Sequence, residues 1–464
     1  MRWTLFGTGL LAAAALMGQT PDDSPAARQA ALGRLRAGGP GAVCSAPARM
    51  SRSYGTPCAS REFAAPAILA APRFAWTVKP GWWGVWSPFL AGDLVLAGSC
   101  NNDDQAGLSA FDMRSGQLRW RISEVCAAGN RRGSMGNVAF HELPSGELLW
   151  IYARDDGEPP DYYVVDLKAG RIVRSLKPVK RGPTRSHGAV LTVLTQSEKD
   201  QTSYLNGLTP ELDRILWRND GFRAACKDKL DRHCRPVFSP SAVSGNTLFL
   251  SATSKDQPDP PTRQLHAIDL ATGRTLWRHT QQPAVEGGGY RSDDETPLVA
   301  AGRVIIRVDG LPGLGLRALD AATGRILWTT AASPARLSAR VAAGEMLISE
   351  ATSAGASELH GYRLSDGSLA WRRPVSAQSR LLASSGGAFY VSERVSKEEF
   401  RFQGFDGLTG TLLWTTSLPA HNLPFDDQWS VEDTRPTGLQ GPSWRIGPDG
   451  AIYGVTLQGV YKLQ

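Results

Sequence analysis

The chain has 464 residues, of which 42% are hydrophobic and 20% are charged, and its formal net charge is +7 at pH 7. This excess is small for the length, and a nucleic-acid interface would need a concentrated basic patch together with aromatic residues for base stacking. The densest basic clusters, Arg131–Arg132 and residues 177–185, are typical of solvated surface, so we predict no nucleic-acid partner. The charge does permit attraction to anionic envelope surfaces.

Residues 1–19 are predicted to be a signal peptide. Met1 and Arg2 precede an apolar stretch over residues 3–17, and a polar run begins at Gln19. A stretch this short does not span a membrane stably, which fits an export signal; a buried N-terminal helix is the alternative. No cysteine directly follows this stretch to carry a lipid anchor, and no other segment is apolar enough to cross a bilayer. We expect an exported protein that is periplasmic or associated with the cell envelope, and the cleavage position stays open.

Residues 20–73 form a separate region rich in Ala, Gly, Pro and Arg. Ser24–Pro25 can start a short helix that ends at Gly38–Gly39, because serine caps helices and proline fits their first turn. Cys44 and Cys58 would either pin an extended arm to the rest of the chain or close a loop on themselves. Two interpretations stay open for this region, a linker and an arm that binds a partner.

From residue 74 onward the chain repeats a pattern of strand, turn and tryptophan. The full form, Leu-x-Ala-x-Asp-x-x-Thr-Gly-x-x-x-Trp, runs from Leu265 to Trp277. Leu, Ala and Asp alternate with period two and share one face of a strand, and Thr-Gly then makes a tight turn. We interpret the small third residue and the tryptophan as complementary packing positions between neighbouring units. The tryptophan position recurs at residues 76, 120, 174, 217, 277, 328, 371 and 414, where Arg174 replaces the indole and the copy ending at Trp217 lacks Thr-Gly.

A hairpin of two apolar runs around a glycine precedes each copy, as at Gly245 and Gly302, so each unit is predicted to contain four antiparallel strands. Four-stranded units at a spacing of roughly 43 to 60 residues are typical of β-propellers, which close radially and expose few strand edges. The fold class is therefore predicted to be all-β, an eight-bladed β-propeller over residues 74–464. The strand around Trp76 has no unit before it, and the last three strands have no tryptophan strand after them. We expect the N-terminal strand to complete the last blade.

This repeat resembles that of the pyrroloquinoline-quinone-type repeat propellers, whose blades carry the same Ala-x-Asp-x-x-Thr-Gly-x-x-x-Trp docking motif. The resemblance covers residues 74–464. It implies the propeller fold and two classes of function. One class is the quinoprotein alcohol and glucose dehydrogenases, and the other is noncatalytic envelope proteins similar to the outer-membrane assembly factor that supports β-barrel insertion. Fold similarity alone does not choose between them.

Six cysteines fall into three close pairs, and an even number in an exported chain favours disulfides. The middle pair is supported further, because its two loops leave the propeller on the same face. A zinc site at the last pair, beside His233, is the alternative, but the spacing is not that of a zinc finger. No Cys-x-x-Cys-His sequence indicates covalent haem. The predicted bonds join Cys44 to Cys58, Cys100 to Cys126 and Cys226 to Cys234.

Long irregular segments enter several blades, notably residues 218–238, 283–296 and 416–442. They belong on one face of the ring. Loops gathered on a rigid scaffold are where binding usually resides, and aromatic residues are favoured anchors. The alternative is that these aromatic side chains fill small cores within the loops. The predicted partner-binding residues are Trp82, Trp83, Tyr290, Phe425 and Trp429.

Signals for catalysis are weaker. Acidic pairs such as Asp103–Asp104 and Asp426–Asp427 could gather near the same face and hold calcium, but none has Asp-x-Asp-x-Asp-Gly spacing. The dehydrogenase resemblance would imply a calcium-binding Glu/Asn/Asp set and, in the alcohol dehydrogenases, two adjacent cysteines, and this chain has no Cys-Cys pair. Its histidines occur without a recognisable nucleophile motif. We therefore predict no catalytic, cofactor-binding or metal-binding residues and no cofactor; pyrroloquinoline quinone with calcium is the alternative.

Together these features predict an exported, noncatalytic propeller scaffold. It is expected to be monomeric and to bind protein or envelope partners, in outer-membrane protein assembly. A pyrroloquinoline-quinone-dependent dehydrogenase and a carbohydrate-binding propeller are the alternatives.

Overall fold

A computed structural model describes residues 18–38, 62–78, 88–99, 107–124, 138–143, 145–152, 161–179, 184–187, 190–196, 203–220, 237–238, 241–253, 263–281, 296–310, 313–330, 336–353, 356–396, 399–419, 444–455 and 459–464. Within these ranges the chain is almost entirely β, with a single α-helix near the N-terminus. The N-terminal elements are α1 (Pro25–Arg36), β1 (Glu62–Phe63) and β2 (Phe74–Val78).

The first four sheets follow one another along the chain, and within each the neighbouring strands are antiparallel. Blade 4 differs in that its first strand is in two pieces, both paired with the second strand. Blade 1 contains β3 (Phe89–Ala91), β4 (Leu94–Ser99), β5 (Gly107–Asp112) and β6 (Leu118–Ile122). Blade 2 contains β7 (Val138–Glu142), β8 (Leu148–Tyr152), β9 (Asp161–Asp166) and β10 (Arg171–Ser175). Blade 3 contains β11 (Thr184–His187), β12 (Val190–Gln196), β13 (Ser203–Leu208) and β14 (Ile215–Asn219). Blade 4 contains β15 (Val237–Phe238), β16 (Ala242–Ser244), β17 (Thr247–Thr253), β18 (Arg263–Asp269) and β19 (Thr275–Gln281).

Four further sheets complete the ring, which confirms the predicted eight-bladed β-propeller. Blade 5 contains β20 (Leu298–Ala300), β21 (Arg303–Gly310), β22 (Gly313–Asp320) and β23 (Ile326–Thr329). Blade 6 contains β24 (Arg336–Ala343), β25 (Met346–Ser353), β26 (Ala356–Arg363) and β27 (Leu369–Val375). Blade 7 contains β28 (Ser379–Ser385), β29 (Ala388–Arg394), β30 (Glu399–Asp406) and β31 (Leu412–Pro419). Blade 8 contains β32 (Trp444–Ile446), β33 (Ile452–Val455), β34 (Val460–Leu463) and the N-terminal strand β2.

The first strand of each blade lies near the ring axis and the fourth lies at the perimeter. First strands of neighbouring blades contact one another, as β7 does β11 and β24 does β28. Apolar clusters fill the spaces between neighbouring blades: Trp217 of blade 3 packs in one cluster with Phe249 and Ala267 of blade 4. Burial of such side chains stabilises the contact between blades rather than each blade alone.

Blade 8 is closed by the N-terminal strand, as the sequence predicts. Strand β2 pairs antiparallel with β34, with Phe74 opposite Leu463 and Val78 opposite Val460. The ladder extends one residue further, because Arg73 and Gln464 exchange two backbone hydrogen bonds of 2.9 Å. The two halves of this blade therefore come from opposite ends of the chain.

The described part of the N-terminal region packs on blades 6 to 8. Helix α1 is capped by the Ser24 hydroxyl, which accepts a hydrogen bond from the Ala27 backbone N–H at 3.2 Å, at the predicted start. Its buried Leu32 shares an apolar cluster with Tyr390 of blade 7. Strand β1 adds in parallel to β28, the axial strand of blade 7, with Glu62 opposite Ser384. No helix among the described residues is long and apolar enough to span a membrane.

Candidate functional site

The recurring motif forms a closed turn after the third strand of the blade, as blade 5 illustrates. One carboxylate oxygen of Asp320 accepts hydrogen bonds from the hydroxyl and from the backbone N–H of Thr323, both at 2.8 Å. These bonds, with the hydroxyl as the larger contribution, lower the pKa of Asp320. Hydroxyl-to-carboxylate bonds hold the turns at Asp112, Asp269 and Asp406 in the same way. The motif carboxylates are thus engaged in turn structure.

Six motif tryptophans dock onto the turn of the next blade. Trp277 donates its indole Nε1–H to the Ala321 carbonyl at 3.0 Å. Gly324 lies under the ring with φ at +71°, and a Cβ there would fall 2.6 Å from Trp277 Cδ2. Glycine is therefore required at this position for two reasons: the backbone has a positive φ, and the indole leaves no room for a Cβ. The same bond joins Trp76 to Met113, Trp120 to Leu167, Trp217 to Leu270, Trp328 to Leu364 and Trp371 to Gly407.

The small residue of the motif packs against the tryptophan of its own blade. Gly361 pairs with Trp371 across β26 and β27, and a Cβ on Gly361 would lie 2.2 Å from Trp371 Cε2. The interpretation that this pair packs between neighbouring units is therefore wrong in its location, although the complementarity is real. Between blades, the turn glycine of the next blade is what receives the indole, as Gly410 receives Trp371.

The two eroded copies of the motif meet at one seam, between blades 2 and 3. Arg174 stands at the tryptophan position of blade 2 and bonds Glu147 of its own blade at 3.1 Å. The turn of blade 3 that would receive an indole lacks Thr-Gly and places Leu212 at φ +61° instead. The Leu212 carbonyl accepts a hydrogen bond from the Val179 backbone N–H at 2.9 Å. A backbone bond thus replaces the tryptophan contact there.

A second unusual seam lies between blades 7 and 8. In blade 8 no turn joins the third and fourth strands, because the fourth strand, β2, precedes the other three in the chain. Trp414 donates instead to the Ile68 carbonyl at 2.7 Å, so the segment leading into β2 supplies the missing acceptor. The Ile68 N–H in turn donates to the Tyr390 hydroxyl at 2.8 Å. Residues before the propeller are therefore part of its seam.

Blade 6 holds a grouping of three titratable side chains, Glu358, His360 and Tyr362. His360 Nε2 lies 2.7 Å from Glu358 Oε2, and its Nδ1 lies 3.1 Å from the Tyr362 hydroxyl. Burial lowers the pKa of His360, although Glu358 opposes this, and burial raises the pKa of Tyr362 to about 12. Both ring nitrogens have a partner, so the geometry is that of a hydrogen-bonded histidine packed between blades. Among the described residues no group of three or more His, Cys, Asp or Glu could hold a metal ion.

None of the side chains predicted from sequence as site residues belongs to the described part of the chain. The partner-binding prediction and the disulfide prediction therefore stay predictions. The residues concerned are Trp82, Trp83, Tyr290, Phe425 and Trp429, and Cys44, Cys58, Cys100, Cys126, Cys226 and Cys234.

The outer wall of the ring is a feature that was not predicted from the sequence. Its eight strands, the fourth of each blade, contain no Asp or Glu. Blades 3 and 4 share the tripeptide Leu-Trp-Arg in these strands, and both leucines are exposed, Leu216 at 42% and Leu276 at 40%. The repeated tripeptide is visible in the sequence once the fourth strands are aligned. The arginines on the outer strands are Arg119, Arg121, Arg171, Arg174, Arg218, Arg278, Arg372 and Arg373.

Comparison with known structures agrees with this architecture. The quinohemoprotein alcohol dehydrogenase from Comamonas testosteroni is 14% identical, covers 94% of this chain and 83% of its own, and has a TM-score of 0.52. BamB from Moraxella catarrhalis is 14% identical over 85% of this chain and 100% of its own, with a TM-score of 0.47. The computationally designed Ika8 protein is 12% identical over 86% and 99%, with a TM-score of 0.49. At these identities the similarity concerns the fold alone.

No curated protein matches the chain in sequence. A family profile does: that of the outer membrane protein assembly factor BamB matches residues 201–387 and 317–432. Together these matches span blades 4 to 7 and the last two strands of blade 3, β13 and β14. The chain belongs to the family of pyrroloquinoline-quinone-type repeat β-propellers to which that BamB profile belongs.

Proposed function

We propose that this protein is an exported, noncatalytic scaffold that binds protein partners in the cell envelope, in the assembly of outer-membrane proteins. The observation that carries the proposal is the use made of the motif residues. Asp320, Thr323 and Trp277 are all bonded within or between turns, and their counterparts in other blades repeat these bonds. The polar groups of the repeat are thus bonded within the ring and hold its blades together. A rigid ring that carries variable loops is suited to binding.

The family match supports the envelope location, and the N-terminal sequence supports export. The apolar stretch over residues 3–17 has the length of a signal peptide. The loop residues Trp83, Tyr290 and Trp429 are the proposed anchors for a partner, because large aromatic side chains carry much of the binding energy at protein interfaces.

Photo-crosslinking in the native envelope tests the partner-binding part. A photoreactive amino acid replaces Trp83, Tyr290 or Trp429, one at a time. Matched controls carry it at Ser145 or Glu345, which are exposed on turns between first and second strands, at the opposite end of the strands from the loops. We expect the three loop positions to give one shared crosslinked protein, and the controls to lack it. Equal crosslinking from all positions, or none from the loops, would overturn the assignment, as would recovery of the full chain from the cytoplasm.

The proposal also states that the protein binds neither pyrroloquinoline quinone nor calcium as a cofactor. Purified chain is dialysed with both, washed, and measured for retained quinone by absorbance and for reduction of an artificial electron acceptor with alcohols or sugars. We expect no stoichiometric quinone and no substrate-dependent reduction. Retention of one quinone per chain with dye reduction would replace the scaffold by a dehydrogenase.

A further inference from the structure

The outer edge of blade 6 shows how an extended acidic segment binds this propeller. Gln19 bridges in parallel to Trp371 on the outer strand β27. In the exported protein this contact requires that the signal peptide is cleaved before Gln19. The Gln19 N–H donates to the Ala370 carbonyl at 3.1 Å, and its carbonyl accepts from the Arg372 N–H at 3.0 Å. The outer strand therefore presents a carbonyl and an N–H on either side of its tryptophan to an added strand.

A carboxylate fixes the same segment four residues later. Asp23 lies 2.5 and 3.0 Å from the two terminal nitrogens of the Arg373 guanidinium, and it accepts a hydrogen bond from the Leu412 N–H of blade 7 at 2.8 Å. Burial of the carboxyl acts against these bonds, but together they lower its pKa. Backbone pairing and an arginine–carboxylate pair are thus combined on the outer wall.

Blades 3 and 4 present the same edge without a segment of the described chain paired to it. In both, the tryptophan pairs with the small residue of the third strand in the register seen in blade 6, Trp217 with Gly207 and Trp277 with Ala267. The same register therefore turns the Leu276 carbonyl and the Arg278 N–H outward, as it turns the Ala370 carbonyl and the Arg372 N–H in blade 6. Helix α1 buries Leu413 of blade 7 to 4% exposure, whereas Leu216 and Leu276, its counterparts, are 42% and 40% exposed.

We propose that the outer edges of blades 3 and 4 bind an extended acidic segment of a partner protein as an added strand. The side chains that select the partner are Arg218 and Arg278, which follow the tryptophans and are exposed. They stand at the position of Arg372 in blade 6, whereas the counterparts of Arg373 are Asn219 and His279. The selection for acidic residues therefore rests on exposed arginines in strands that contain no Asp or Glu. A second copy of this chain is disfavoured, because its own edges carry arginine and like charges repel across a strand pair. The inference rests on the proposed scaffold function and names the chemistry of the partner.

The outer wall of the ring fits an added strand from a partner better than it fits a flat anionic membrane. Exposed aliphatic side chains follow the perimeter, one each in blades 1 to 5: Leu118, Val173, Leu216, Leu276 and Ile326. A flat surface would touch only one or two blades of a convex ring, whereas an added strand needs the edge of a single blade.

The test measures peptide binding to the purified chain by fluorescence anisotropy. The probe is a capped, labelled peptide Glu-Val-Asp-Val-Glu-Val, and the matched peptide Lys-Val-Lys-Val-Lys-Val has the opposite charge. The variant R218T/R278T uses the residue that other blades carry at this position, as at Thr329 and Thr415, so it is compatible with the fold. The control R214T/R274T removes two exposed arginines from the turns of the same blades.

We expect the acidic peptide to bind at least about tenfold more tightly than the lysine peptide, and R218T/R278T to weaken it by about tenfold, as loss of charge-assisted hydrogen bonds does. R214T/R274T should change its affinity by less than about twofold. Equal loss in both variants, no binding of the acidic peptide, or binding only to vesicles of anionic phospholipid would overturn the inference. Because purified protein is used, such a failure is separate from failure of the envelope crosslinking.

Discussion

Substitution of the turn glycine in blade 5 tests how the blades are joined. Gly324→Ala forces an alanine into φ +71°, which costs roughly 1–2 kcal/mol. Its Cβ would also lie 2.6 Å from Trp277 Cδ2, so the indole must move and lose its bond to Ala321. Overpacking of this kind costs about 1–3 kcal/mol and the hydrogen bond about 1 kcal/mol. We expect a total loss of about 3–6 kcal/mol in the free energy of unfolding.

The same blade offers a matched control. Gly302 also has φ +71°, but a Cβ there would meet nothing within 4 Å. Gly302→Ala should therefore cost only the conformational part, roughly 1–2 kcal/mol. In a Trp277→Ala background the two alanine substitutions should cost the same, because the indole is gone. Guanidinium unfolding followed by far-ultraviolet circular dichroism measures the two glycine variants, Trp277→Ala and the two double variants. If Gly324→Ala and Gly302→Ala are equally destabilising with Trp277 present, the docking argument is wrong.

Three further predictions follow from the closure, the buried carboxyl and the cysteines. Trp76→Ala should lower the melting temperature visibly, since removal of a packed tryptophan costs on the order of 3–5 kcal/mol, and an unchanged melting curve would count against closure through β2. Burial raises the pKa of Glu62 from 4.5 to about 7, so the stability that this carboxyl contributes is complete below pH 4.5 and is lost as the pH rises through 7. Glu62→Gln should remove this part of the pH dependence of the free energy of unfolding. Parallel curves of unfolding free energy against pH for the two proteins would refute the argument. Peptide mapping without reduction should recover three cross-linked pairs, and six free thiols would contradict both the disulfides and export. The expected pairs are Cys44 with Cys58, Cys100 with Cys126 and Cys226 with Cys234.

The fold could be predicted from the sequence because the signal is repeated. The spacing of Trp120, Trp277 and Trp414 sets the size of a blade, and the unmatched strand at Trp76 indicates how the ring closes. The contacts between neighbouring blades could not be predicted. Alternation within a strand indicates which residues share a face, but not which blade lies opposite that face. Trp277 meets Ala267 on its own sheet and Gly324 on the next, and only the ring geometry separates these contacts.

The eroded repeats show the same limit. In the sequence, Arg174 and the missing Thr-Gly of the following copy are two independent departures from the motif. In the ring they face each other, because the tryptophan of one blade and the turn of the next form one contact. The docking of Gln19 on Trp371 could not be predicted either, since backbone pairing at an edge leaves no side-chain pattern. The aromatic loop residues follow from composition alone, and no periodicity constrains where loops lie.

Closure by the N-terminal strand has a consequence for the order in which the chain folds. Strand β2 is synthesised before any blade, yet its ladder partner among the described strands, β34, is synthesised after blades 1 to 7. Blades 1 to 7 can pair locally, whereas blade 8 must wait until β34 has been synthesised. Until they pair, β2 and β34 both expose unpaired edges, which are prone to join other chains. Circular permutation that links residue 464 to residue 18 through a flexible linker keeps Ile68 at its seam, and opening the chain between two blades then makes every blade local. This permutation should speed ring closure without changing the ring.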